Sequence, residues 1–205
     1  MKTSFPIFFL LLIQYTLLSQ NILDETKKNH TFSVVSFNDF TKNAYYPMGW
    51  FFFDQKGLTF EIRYNYNSDK NISAYIGQKV FHKDWELKYL EGFSCGKNKE
   101  ISFSPIQNYD GKKINFNNSA QINLALTNSP SYLLQWAELS YKFNEVWWLG
   151  VSNRTYFEKL DNLDFALGAE LTINIKDFFI SNYLWLPSKY SENIFSIQIG
   201  YNIDY

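Results

Sequence analysis

Apolar and polar residues alternate with a period of two along much of this chain. At the end of the sequence Phe195, Ile197, Ile199, Tyr201, Ile203 and Tyr205 alternate with Ser196, Gln198, Gly200, Asn202 and Asp204. That spacing predicts a strand with one wholly apolar face. The same pattern sets Leu58, Phe60, Ile62, Tyr64 and Tyr66 against Thr59, Glu61, Arg63 and Asn65, and Phe165, Leu167, Ala169, Leu171 and Ile173 against Ala166, Gly168, Glu170, Thr172 and Asn174. Anchored on these, strands are expected at 57–67, 71–80, 84–93, 101–116, 119–127, 132–143, 146–157, 163–175, 178–187 and 194–205. Pro105 and Gly111 interrupt the fourth of them, and both faces of Phe178 to Leu186 are apolar.

Counting back from the end of the chain, Lys176-Asp177, Asn144-Glu145, Asn117-Asn118 and His82-Lys83 fall at short turns on one side. Longer connections fall on the other, including Pro187 to Asn193, Glu158 to Asn162 and Ser94 to Glu100. Short turns at one end and longer loops at the other are the asymmetry of bacterial outer-membrane barrels. The expected fold is therefore all-β: a closed, antiparallel, up-and-down transmembrane β-barrel of about 10 strands, with 8 to 12 open. The barrel domain is placed at 57–205. Residues 20–56 fit the pattern less well, since Tyr45 to Phe53 is an aromatic block around Pro47 and Gly49. They are left as a periplasmic segment, a plug-like segment or extra strands.

The first residues differ from the rest. Lys2 precedes an apolar stretch from Phe5 to Leu18, and Ser19 is small enough to stand before a cleavage point. Residues 1–19 read as a secretory signal peptide, with cleavage after Ser19 or Gln20. Downstream of it no run of about 18 apolar residues offers a transmembrane helix, so a chain that spans a membrane must do so as a barrel.

Composition decides which face of the alternation meets what. Aromatic residues make up 20% of the chain and charged residues 19%, a strand-favouring and charge-poor balance. The polar face is mostly Ser, Gly, Asn, Thr and Gln, which suits a crowded interior better than the Lys- and Glu-rich exterior of a soluble ligand carrier. The charges on it have both signs: Glu61, Glu86, Glu138 and Glu170 with Arg63, Lys88, Lys142, Arg154 and Lys176. They are expected to pair inside the barrel, because an unpaired charge away from water is costly. A polar ion path through the lumen is the alternative. Trp147, Trp148, Tyr156 and Phe157, Trp185 near an outer loop, and Tyr201 with Tyr205 are candidates for interfacial girdles; ordinary packing explains Trp136 and Trp148 equally well.

An aromatic terminal residue preceded by alternating apolar positions, here Phe195, Ile197, Ile199, Tyr201, Ile203 and Tyr205, resembles the C-terminal signal by which outer-membrane proteins engage the barrel-assembly machinery. Glu61 to Tyr66, Tyr75-Ile76-Gly77 and Trp136-Ala137-Glu138-Leu139 are similar to small outer-membrane β-barrel proteins of Bacteroidetes. That resemblance implies residence in the cell outer membrane, with its lipid and the assembly machinery as partners, and no activity.

The chemistry-bearing residues are few. Of two histidines, His30 lies in the N-terminal segment and His82 at a turn, and the single Cys95 forms no internal disulfide. Asp161 with Asp164 near one outer loop is the best candidate for a paired-carboxylate hydrolase, a weak signal. No catalytic residue, cofactor or metal motif is assigned. The formal net charge of -1 gives no basic field for nucleic acid. The expected role is structural or surface-interacting. A narrow channel or transporter for a small solute is the alternative, with a barrel hydrolase third and a soluble carrier fourth. Oligomeric state is left open.

Overall fold

The computed structural model describes residues 31–55, 57–65, 70–158, 163–188 and 193–204. Predicted features at the signal peptide, His30, Tyr66, Asp161 and Tyr205 lie outside the described residues.

Twelve antiparallel strands close on themselves: β1 (Thr31–Phe40), β2 (Tyr45–Gln55), β3 (Leu58–Asn65), β4 (Asn71–His82), β5 (Trp85–Cys95), β6 (Glu100–Asp110), β7 (Ile114–Ala125), β8 (Tyr132–Lys142), β9 (Trp147–Phe157), β10 (Leu163–Ile175), β11 (Phe178–Pro187) and β12 (Ile194–Asp204). Each pairs with its neighbour in sequence, and β1 pairs with β12, from Thr31 opposite Asp204 to Phe40 opposite Phe195. Closure leaves no unpaired strand edge.

Two strands come from residues 31–55, so the barrel begins upstream of residue 57. A different correction concerns 101–116. Pro105 stays within β6, with the β6–β7 register continuing on either side of it, at Phe103 opposite Ile122 and Ile106 opposite Ser119. Gly111 ends the strand, and its N–H donates to the Ile114 carbonyl at 3.0 Å across the turn at 111–113. The expected turn at Asn117-Asn118 is the middle of β7. Its asparagines resemble turn residues in sequence, yet here their side chains bond across strands: Asn117 Nδ2 donates to Asn108 Oδ1, and Asn118 Oδ1 accepts from Gln135 Nε2 at 3.2 Å.

One end of the barrel carries Gly57 and the short turns at 83–84, 111–113, 143–146 and 176–177, and is the inner end. Lys83 and Lys176 open two of these turns with φ of 55° each, so the predicted lumen residue Lys176 is an exposed turn residue.

The faces are the reverse of a soluble protein's. Outward positions are apolar, among them Ile62, Ile76, Leu149, Val151, Leu167 and Leu184, while Thr59, Glu61, Ser102, Ser104, Glu170 and Ser196 are buried inside. The soluble-carrier reading, which needs the apolar face inward, is overturned. Near the inner end, outward rings cluster at Trp85 with Tyr109 (5.0 Å) and Phe116 (6.4 Å), and at Tyr141 with Phe143 (5.2 Å). Near the other end Phe40 lies against Tyr45 (5.1 Å) and Phe195 (6.3 Å). Exposed aliphatic side chains, among them Ile62, Leu139, Val151 and Leu167, lie between. Trp147 belongs to the inner ring cluster by position, but Trp185 does not belong to either: it is 0% exposed and points inward.

Candidate functional site

The interior is the one part of this molecule where polar chemistry is concentrated, and its two walls differ. The wall from β2 to β7 is charge-compensated. At its inner end Lys79 Nζ lies 2.5 Å from Asp54 Oδ2 and 3.4 Å from Glu86, and Lys88 Nζ lies 3.3 Å from Glu86 and 3.5 Å from Asp54. Thr59 Oγ1 donates to Asp54 at 2.6 Å, and Asn108 Nδ2 to Glu86 at 2.7 Å. Every polar atom of that cluster comes from an inward position of an adjoining strand, so the period of two alone brings it together.

Further along the same wall Arg63 is ion-paired with Glu61, reaches Gln121 Oε1 on β7 at 2.5 Å, and lies 4.4 Å over the Tyr75 ring. Gln121 Nε2 donates to Tyr75 and to Asn123 Oδ1. Tyr75 has room because Gly92 stands opposite it: a Cβ there would sit 2.2 Å from its ring.

The wall from β8 through β12 to β1 is aromatic. Trp185 stacks on Tyr183 (5.4 Å, 13°) and meets Trp136 edge-on (5.1 Å, 83°), while Phe37 contacts Trp136 and Tyr183 at 5.0 and 5.9 Å. Trp185 Nε1 donates to Ser196 Oγ at 2.9 Å, satisfying the indole as burial demands. Arg154 covers this cluster at the end away from the short turns, 5.0 Å over Trp185 and paired with Asp39 at 3.0 Å. At the inner end Lys142 is paired with Asp110 and lies 4.6 Å over Trp148.

Between those ends sit Glu138 and Glu170. Glu138 Oε1 accepts from Trp136 Nε1 at 2.6 Å and Tyr183 OH at 2.7 Å; Tyr183 OH also lies 2.9 Å from Gln198 Oε1. Glu170 accepts from Ser140 at 3.0 Å and Thr172 at 2.8 Å.

Of the predicted lumen charges, then, Glu61, Arg63, Glu86, Lys88, Glu138, Lys142, Arg154 and Glu170 occupy inward positions, and Lys176 does not. Asp39, Asp54, Lys79 and Asp110 complete the pairs and were not predicted. Parity on β2 and β4 marks Asp54 and Lys79 as inward once those strands are known. Asp164, from the hydrolase reading, lines a recess of about 80 Å³ with Arg154, Tyr156 and Pro187 and accepts from Ser188 at 3.4 Å. Among the described residues no cluster of three or more His, Cys, Asp or Glu is arranged to hold a metal ion.

A closed barrel with an apolar exterior and a polar, partly charged interior has the architecture of the outer-membrane porins and channels. Solved structures with this fold include the KdgM porin (TM-score 0.63, 8% identity, 82% of this chain and 98% of that one) and the NanC porin (0.64, 10%, 83% and 98%). An outer membrane channel from Pseudomonas putida F1 aligns over 89% of this chain and all of its own, at TM-score 0.57 and 9% identity. At such identities the likeness carries the fold and not the lineage. No family profile matches the sequence, and no curated protein matches it.

Proposed function

We propose that this protein resides in an outer membrane and serves as a narrow channel for small polar solutes. The observation that carries the reading is the lumen itself: polar and charged side chains line it from the Asp54–Lys79–Glu86–Lys88 cluster, through Arg63 and Gln121, to Arg154 and Asp39 near the opposite end. A barrel needed only as a structural or adhesive element gains nothing from holding so many charges inside, where each costs desolvation. The likeness in fold to porins and channels supports the same choice. Aromatic clusters toward both ends of the outer face, with exposed apolar side chains such as Ile62, Val151 and Leu167 between, suit the two interfaces and the hydrocarbon of a bilayer.

In planar bilayers the folded, purified barrel should give discrete conductance steps that grow with salt concentration. A folded protein that inserts without any step removes the channel reading and leaves the structural one.

The outward row Phe195, Ile197, Ile199, Tyr201 and Ile203 on β12 belongs to the same proposal as the strand that the assembly machinery engages. Replacing Phe195 and Tyr201 together by Ser should lower the amount recovered folded from outer membranes. Refolding of the purified chain into vesicles should slow much less. Equal losses in both settings would assign these rings to stability alone.

A further inference from the structure

Glu138 and Glu170 stand out from the other lumen acids just described. Asp39, Asp54, Glu61, Glu86 and Asp110 each have a Lys or Arg at ion-pair distance. Among the described residues neither Glu138 nor Glu170 has one, and both project into the lumen from strands on either side of β9. Their hydrogen bonds come only from neutral donors, and Glu138 spends both on Oε1, which leaves Oε2 free.

The wall between them is carved to the backbone. On β9 Ser152 lies directly opposite Glu138 and Gly150 directly opposite Glu170; on β10 Gly168 lies opposite Ser152. A Cβ at Gly150 would be 2.5 Å from Ser140 Oγ, and one at Gly168 would be 2.5 Å from Ser152 Oγ. The two glycines thus let Ser140, Ser152 and the Trp185 ring lie against the backbone of this stretch of wall, with one carboxylate at each diagonal corner. Within it Ser152 Oγ is buried, with the residue only 4% exposed, and has no hydrogen-bond partner. A buried hydroxyl without a partner is costly, and here the cross-strand partner of its residue is the uncompensated Glu138.

We infer that Glu138, Ser152 and Glu170 form a site for a hard, oxygen-preferring cation, divalent by charge balance, on the lumen wall. The carboxylates supply the charge, Ser152 Oγ and Glu138 Oε2 supply free oxygen lone pairs, and lumen water completes the shell, as is usual for ions of this type. The site goes beyond the channel reading and does not depend on it, since occupancy is measured on the folded barrel without conduction.

Terbium is the probe, because Trp136 is hydrogen-bonded to Glu138 and can sensitise a bound lanthanide. Titrating Tb³⁺ into the refolded full chain in detergent, with tryptophan excitation, should give saturable green emission that excess Ca²⁺ displaces. Glu138→Gln and Glu170→Gln should each weaken binding about tenfold or more, and Ser152→Ala by less; Glu145→Gln in an inner turn should not. Retention of the barrel is checked for each variant by heat-modifiable migration. No saturable emission from the unsubstituted protein overturns the site, whatever the variants do. Emission that persists unchanged in both carboxylate variants overturns it as well, and points to surface binding.

Discussion

Val151→Arg should destabilise the barrel in lipid by about 2–4 kcal/mol, the cost of a guanidinium near the bilayer midplane. Val151 is the position to choose because it lies midway along β9, is 62% exposed, and has Leu139 and Ala169 as its cross-strand partners. No cation-accepting group is brought near it by that register. The measurement is urea-driven unfolding from phospholipid vesicles, with Val151→Leu as the conservative control. An Arg tolerated to within about 0.5 kcal/mol, the usual range for a surface substitution in water, would mean that this face does not meet hydrocarbon.

The second large effect lies inside. Glu61 is 1% exposed and its Oε2 has no hydrogen-bond partner, so the paired Arg63 is its principal compensation. Arg63→Met should therefore cost about 3–5 kcal/mol, the range for breaking a buried pair by removing one member. It also frees Gln121 Oε1 and uncovers the Tyr75 ring. Adding Glu61→Gln removes the stranded charge and should restore much of the loss. The double-mutant cycle, measured by the same unfolding assay, separates the charge effect from lost packing. Two additive substitutions would show that Glu61 is compensated some other way.

How much of this was legible in the sequence differs strand by strand. β3, β10 and β12 were readable because each has one apolar and one polar face, and the period of two then fixes both the strand and its orientation. β1 and β2 were readable only as possible extra strands, because much of the lumen wall they build is itself apolar. Val35, Phe37, Met48 and Trp50 point inward while Val34, Phe51 and Phe53 point outward, so alternation in polarity disappears. The same mixture in β11 explains why Trp185 read as an interfacial ring and turned out to be packed under Arg154. Between β6 and β7 there were two turn signals, Gly111 and Asn117-Asn118, and the Asn pair misled because its side chains bond across strands.

The site was legible as a list of inward charges but not as an arrangement. Parity says which acids share the lumen; it does not say which of them meet. Arg154 finds Asp39 across 115 positions of sequence, a pairing fixed by closure and stagger rather than by any local pattern. The contrast between the compensated wall and the unpaired Glu138 and Glu170 depends wholly on those distant pairings, and so it emerges only in three dimensions.

The seam between β1 and β12 joins the earliest and latest described strands, and it sets an order on biogenesis. Ten consecutive residues of β1 have their partners on β12, so β1 must wait, with one edge unsatisfied, until the ten strands between the two, and β12 itself, have been delivered. Loop closure over so long a span is slow, and a waiting strand edge invites pairing with other chains. Every copy therefore passes through an interval in which an open strand edge can pair with its neighbours, and closing the seam is what ends that exposure.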